Sequence, residues 1–174
     1  GCMRILAIHN YYQQAGGEDV VFKGEVSLLR QHGHEVVEYC QDNMQIHRLS
    51  RLTLACHTIW SQPVYRALQR LLCDVKPDVA HFHNIFPLIS PAAYYASRKA
   101  GVPVVQTLHN YRLLCPAATF LRHGQLCEAC LGKTSPWPAV LHACYHRSYA
   151  QSALTAGMLT AHRWLKTWRD QVDI

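Results

Sequence analysis

GVPVVQTLHNYRLLCPAATFLRHGQLCEAC, residues 101–130, decides how the rest of the chain is read. Its apolar start, Val102 to Thr107, reads as a buried strand. The strand stops at a polar cluster, His109-Asn110-Tyr111-Arg112, and the chain then enters a loop holding Cys115, Cys127 and Cys130. A strand that ends in polar side chains has the form of a ligand edge. A cysteine-bearing loop has the form of a metal staple or a brace for a lid.

Upstream, the same pattern recurs. Arg4 to Ile8 reads as a first strand, buried on both faces and followed by His9-Asn10. Glu35 to Tyr39 reads as the second, and Val79 to Phe82 as the third, followed by His83-Asn84. Between them lie helical stripes. Phe22, Val26 and Leu29 recur at i, i+4, i+7, with Glu18 and Asp19 suited to a first turn and Gly33 to a C-terminal stop. Val64, Leu68 and Leu71 follow Pro63, a good first helical residue, and Ile46 to Trp60 reads as one more helix. Ser90-Pro91 opens a helix that closes at Ala100-Gly101, with Ser90 as its cap. Short apolar strands alternating with helices predict an α/β fold: a Rossmann-like parallel sheet with helices on both faces.

Downstream, Pro136-Trp137-Pro138 is a break, and Leu154, Met158, Ala161, Leu165 and Trp168 form a long stripe with Arg163, Lys166 and Arg169 off it. Val172-Asp173-Ile174 resembles the opening of another strand, so the natural chain is expected to continue. Gly1-Cys2 ahead of Met3 reads as a remnant and is set aside.

The 174 residues suffice for one domain with its own core, and 49% apolar with 16% charged residues is an ordinary globular balance. A net charge of +6 and a pI near 9.0 suit anionic partners, but the charges are scattered, which makes nucleic acid an unlikely one. No apolar run reaches a membrane span and no signal peptide is visible, so the setting is expected to be a reducing cytoplasm. There, eight cysteines point to metal or buried thiols before disulfides.

Three strand ends each carry a His-Asn pair: His9-Asn10, His83-Asn84 and His109-Asn110. In an open parallel sheet, ligands bind beyond the carboxyl ends of the strands, so three such pairs favour a shared cleft over solvated loop ends. Helix caps and turns are the bland account of the asparagines. Gly16-Gly17 before a helix lets backbone N–H groups approach a phosphate, although Glu18 and Asp19 would repel it; a plain flexible turn is the other account. No G-x-G-x-x-G is present. Cys40, Cys56 and Cys73 are most simply small core residues. Cys115, Cys127, Cys130 and Cys144 form C-x11-C-x2-C-x13-C, which can close a structural zinc site, with free thiols and disulfides as the alternatives.

GGEDVVF at 16–22, KPDVAHFHN at 76–84, ISP at 89–91 and GVPVVQTLHNYRLLCP at 101–116 resemble the amino-terminal half of glycosyltransferase family 4. The resemblance spans most of residues 3–174. It implies one half of a GT-B fold, with a Cys-rich insertion at about 112–146 after the fourth strand and the donor-binding carboxyl-terminal domain absent. It implies a retaining hexosyltransferase, moving a hexose from a UDP- or GDP-sugar to a glycan or lipid-linked acceptor with no catalytic metal. Gly16 and Gly17 would lie under the donor diphosphate, with Glu18 among the substrate-binding residues. His109 would be the catalytic-site residue that donates a hydrogen bond to the transferred sugar. His83, Asn84, Asn110, Tyr111 and Arg112 would line the acceptor side.

The paired glutamates of the family's donor domain have no counterpart here, since no E-x7-E occurs late in the chain. This fragment alone is therefore expected not to turn over. The alternative is a non-catalytic, zinc-stabilised binding module of Rossmann type. A lipid-linked acceptor would place the protein at the inner face of an anionic membrane, where Arg48, Arg51, Arg66 and Arg70, set among apolar residues, could make peripheral contact.

Overall fold

The structure, a computed structural model, describes residues 1–12 and 16–174, with only the backbone given at His47 and Arg48. The chain divides into two compact units: Gly1–His109 together with Arg169–Ile174, and Asn110–Trp168.

The first unit is built on four parallel strands, β1 (Arg4–Tyr11), β2 (Glu35–Asp42), β3 (Val79–Phe82) and β4 (Val104–Gln106), in the order β2-β1-β3-β4. β1 is central, and Ile5 to Asn10 are buried without a break, as its apolar sequence predicts. It runs three residues further than the apolar stretch alone suggests, because β2 pairs with it residue for residue from Arg4↔Glu35 to Tyr11↔Asp42. β4 is shorter than the apolar run, since Pro103 has no N–H to donate. Hydrogen bonding continues past its ends nonetheless: Ala80 N–H donates to Pro103 O and Thr107 N–H to Phe82 O. Along the other edge of β4, Asp173 N–H donates to Val104 O and Gln106 N–H to Ile174 O, the strand-like ending anticipated at 172–174.

Helix α1 (Gly17–Gln31) buries Phe22 and Val26 against Ile5, Ala7 and Val36. It closes at Gly33, whose φ of +82° an L side chain would resist, with Gly33 N–H on Arg30 O. The expected single helix over 46–60 is two pieces. A 3₁₀ turn, Asn43–Arg48, is capped by the Asp42 carboxylate on Met44 N–H; α2 (Arg51–Ile59) is capped by Ser50 Oγ on Thr53 N–H. Two separate caps fix two separate starts. Helix α3 (Gln62–Val75), with Pro63 in its first turn, buries Val64, Leu68 and Leu72, so its stripe runs i, i+4, i+8 and leaves Leu71 half-buried. Helix α4 (Ala92–Lys99) packs on α3 and sets Tyr94 against Phe82, on the sheet face opposite α1. The N-cap of α4 is Pro91, one residue later than expected; Ser90 stands just ahead of it with φ +65°, its Oγ accepting from Ala92 N–H and from Ser61 N–H.

The second unit contains a hairpin that the reading of 112–146 as loop did not anticipate: β5 (Leu121–Arg122) antiparallel to β6 (Gln125–Leu126). His123 and Gly124 both have positive φ, as a two-residue hairpin turn of this hand demands. Helix α5 (Trp137–Leu141) packs on α6 (Tyr149–Trp164), and a last turn, α7, covers Thr167–Asp170. The buried face of α6 is Ser152, Thr155, Ala156, Met158, Leu159 and His162. It differs from the expected Leu154–Leu165–Trp168 stripe: α6 stops at Trp164, and Leu165 is exposed. Small and hydroxyl residues line the buried face because Thr155 Oγ1 and Ser152 Oγ can bond nearby carbonyls, Gln151 O and Tyr145 O.

Candidate functional site

Side chains alternate between the faces of a strand, so Val79, His81 and His83 share a face with Ile5, Ala7 and His9; the register Ala7↔His81 confirms it. That face is the one covered by α1. Four imidazoles thus meet at the carboxyl edge of the sheet in the first unit.

His9 is fully buried, stacked on Phe22 with ring centroids 4.6 Å apart. Its Nε2 lies 2.7 Å from Asp19 Oδ1, and its Nδ1 accepts from Asn84 N–H at 3.4 Å. Those partners assign the proton to Nε2. Asp19 also accepts from Gly16 N–H at 3.2 Å, so one carboxylate closes the start of α1 and orients His9. His83 is buried, its ring 5.1 Å from Phe22. Its Nδ1 is 3.0 Å from His109 Nε2, with the two rings stacked, and its Nε2 is 3.3 Å from Glu25 Oε2. His81 lies beside His83, ring centroids 4.5 Å apart, and its Nε2 meets Thr107 Oγ1 at 2.8 Å. Gln106 Nε2 donates to the backbone carbonyl of His83, and Gln106 Oε1 accepts from Tyr94 Oη.

Burial drives the His83 imidazole down to about 3, with His81, His109 and His9 adding to the effect. Burial likewise lowers His81, against the pull of Glu25, and lowers His9, where it outweighs Asp19. These three imidazoles are therefore neutral at neutral pH. They can offer one donor and one lone pair each, and no fixed positive charge.

The expected site residues separate into groups. His83 and His109 come together. Gly16 and Gly17 stand at the start of α1 on the same unit, and a Cβ on either would meet nothing within 4 Å. Glu18 is half-buried beside them. Asn84 is at the strand end, but its amide is directed into the backbone: Nδ2 donates to Asn10 O and Phe86 O, and Oδ1 accepts from Phe86 N–H. Asn10 does the same, accepting from Leu88 N–H and donating to Asn43 Oδ1. Asn110, Tyr111 and Arg112 belong to the second unit. Asn110 Oδ1 accepts from Arg112 N–H, the Arg112 guanidinium bonds Pro116 O and lies over the Tyr145 ring, and Tyr111 is exposed beside Phe120.

Cys115 and Cys130 are buried and Cys127 and Cys144 half-buried in that second unit, near enough for their charges to act on one another. Among the described residues, however, the donors whose ligand atoms all lie within 4.8 Å of one another are Glu25, His81 and His83. Reasoning from the sequence missed Asp19 as a partner of His9, and also Glu25, His81 and Thr107. His81 was within reach, two residues before His83 on one strand and so on one face. Glu25 was not, because its place depends on how α1 lies over β3.

No curated protein matches the chain by sequence. Among solved structures it is similar to a UDP-GlcNAc 2-epimerase from Methanocaldococcus jannaschii, with 11% identity over 60% of this chain and a TM-score of 0.45. The chain spans 31% of the length of that structure. Residues 15–172 match the profile of Glycosyltransferase Family 4, a span that begins after β1 and takes in β2, β3, β4, His81, His83 and His109, and the chain belongs to that family.

Proposed function

We propose that this chain is the acceptor-side domain, residues 3–174, of a retaining glycosyltransferase that moves a hexose from a UDP- or GDP-sugar to a glycan or lipid-linked acceptor. A donor-binding domain outside this sequence would complete the cleft, and the chain alone would not turn over. The observation that carries the reading is the pair of rings at the sheet edge, His83 Nδ1 to His109 Nε2 at 3.0 Å. A buried neutral imidazole holds His109 by one nitrogen and leaves the other for the transferred sugar. Gly16 and Gly17, with open space where a Cβ would be, allow a diphosphate close to backbone N–H groups at the start of α1. Asp19 already takes up Gly16 N–H, so the later amides of the turn would serve, with Glu18 beside them. His83, buried with both ring nitrogens engaged, would serve the acceptor side through His109, and Asn84 would act by shaping the backbone there. Asn110, Tyr111 and Arg112 would contribute acceptor contacts chiefly through the exposed Tyr111.

The test uses the complete enzyme. His109→Ala should lower kcat more than it raises KM, because a hydrogen bond to the sugar that strengthens as its bond to phosphate breaks acts in the transition state. Unchanged kcat in a sugar-transfer assay removes His109 from this role. Zinc on the four cysteines and contact with an anionic membrane at the cytoplasmic face belong to the same proposal, and their tests are argued below.

A further inference from the structure

We propose that Glu25, His81 and His83 form a binding site for one divalent transition-metal ion, zinc being the one their chemistry fits, on the α1 face of the sheet. Two imidazoles and a carboxylate are a zinc donor set that leaves a fourth position for water. The three ligand atoms lie within 4.8 Å of one another, His83 is buried and His81 half-buried on β3, and Glu25 closes the set from the helix above. The Glu25 Oε2 to His83 Nε2 separation is 3.3 Å. That is long for a charge-assisted hydrogen bond, usually about 2.7–2.9 Å. It matches the roughly 3.4 Å edge of a tetrahedron with metal–ligand bonds of about 2.0–2.1 Å.

The outer partners agree. A ligating histidine donates its other N–H to a fixed acceptor, which sets the tautomer. His81 Nε2 has Thr107 Oγ1 at 2.8 Å, and His83 Nδ1 has His109 Nε2 at 3.0 Å. Each histidine then has one ring nitrogen left for the metal, His83 with the Nε2 that lies 3.3 Å from Glu25. A metal on His83 Nε2 fixes a donating Nδ1–H and therefore leaves the His109 proton on Nδ1. The site stands on these contacts whether or not the chain takes part in glycosyl transfer.

The experiment is a titration of the metal-stripped chain with Co²⁺, followed by visible and near-ultraviolet absorption. The expected result is a tetrahedral d–d band saturating at one ion per chain, retained in Cys127→Ser/Cys130→Ser and without the sulfur-to-metal charge transfer that cysteine ligation produces. Glu25→Gln and His81→Gln, each checked for native circular dichroism, should bind at least ten-fold more weakly. Thr107→Val, which removes only the outer partner, should lose about ten- to a hundred-fold. A d–d band that disappears in the cysteine double variant, or affinity unchanged in natively folded Glu25→Gln and His81→Gln, overturns the proposal. So does the absence of any band; the three residues are then a hydrogen-bonded chain from Glu25 through His83 to His109.

Discussion

At the scale of single residues, the first unit is governed by the cost of burying polar groups. Asn10 and Asn84 were legible as marks of strand ends, but not as the groups that satisfy the backbone there, since a sequence does not say which amide faces inward. His9 shows what that burial does. It is faced by Asp19, Glu18, His83 and His109, and burial nevertheless keeps it neutral. The unfolded chain takes up this proton near pH 6.5, whereas the folded chain resists it. The sign follows: the contribution of His9 is full above about pH 6.5 and is lost as pH falls toward the depressed folded value. His9→Gln keeps an N–H for Asp19 and removes the titration. Denaturant melts at pH 6 and 5 in the presence of chelator should show stability falling more steeply in the parent than in the variant, by up to about 1.4 kcal/mol per pH unit. Equal slopes would mean that His9 is charged in the fold.

At the scale of elements, periodicity predicted those that repeat and missed those decided by one contact. The strands and α1 followed from apolar runs and a 3.6-residue stripe. The hairpin at 121–126 follows from His123-Gly124 entering positive φ, a signal too short to stand out inside a cysteine-bearing loop. Arg163 lay off the expected stripe of α6, with no partner legible in the sequence. It is the tie of the second unit, its guanidinium bonding the carbonyls of Leu113, Lys133 and Thr134. Arg163→Met keeps most of the stem's packing and strands those acceptors. Water can reach the Lys133 and Thr134 carbonyls, so the loss should be about 1–2 kcal/mol for the second unit, at roughly 0.5–1.5 kcal/mol per hydrogen bond and less for the two exposed ones. Faster amide exchange over 110–168 with 4–82 unaffected is the expected readout; unchanged exchange would mean that Arg163 ties nothing.

The same unit holds the four cysteines. Burial raises the Cys130 and Cys144 thiols above their usual range, so closing zinc there must displace protons and should weaken as pH falls. If the spacing acts as a structural site, chain purified without chelator carries one zinc more than Cys127→Ser/Cys130→Ser, and the double variant melts at lower temperature. Equal metal content in the two proteins removes zinc from the cysteines and leaves them as thiols.

At the scale of the whole molecule, charge is what composition described best and structure sharpens. The net +6 is scattered, but part of it lies on two consecutive helices. Arg51 on α2 and Arg66 and Arg70 on α3 are exposed; the side chain of Arg48 falls outside the described residues. Leu52 is 81% exposed on the same α2. No helix among the described residues is long and apolar enough to cross a membrane, so an encounter with lipid would be peripheral. Arg66 and Arg70, one turn apart, are also what any outer helix face presents to water, and exposure alone does not separate the two accounts. Salt does. Each arginine near an anionic surface contributes about 1 kcal/mol, and the attraction fades beyond a Debye length of about 8 Å at physiological ionic strength. The chain should sediment with vesicles containing anionic lipid at low salt, release at high salt, and ignore neutral vesicles. Arg66→Gln/Arg70→Gln should reduce the bound fraction without changing the fold. Protein that stays in the supernatant at both salt concentrations, or binds neutral vesicles equally, would end the docking idea. A soluble glycan would then be the better acceptor for the histidine edge, since nothing would hold the cleft at the surface where a lipid-linked sugar resides.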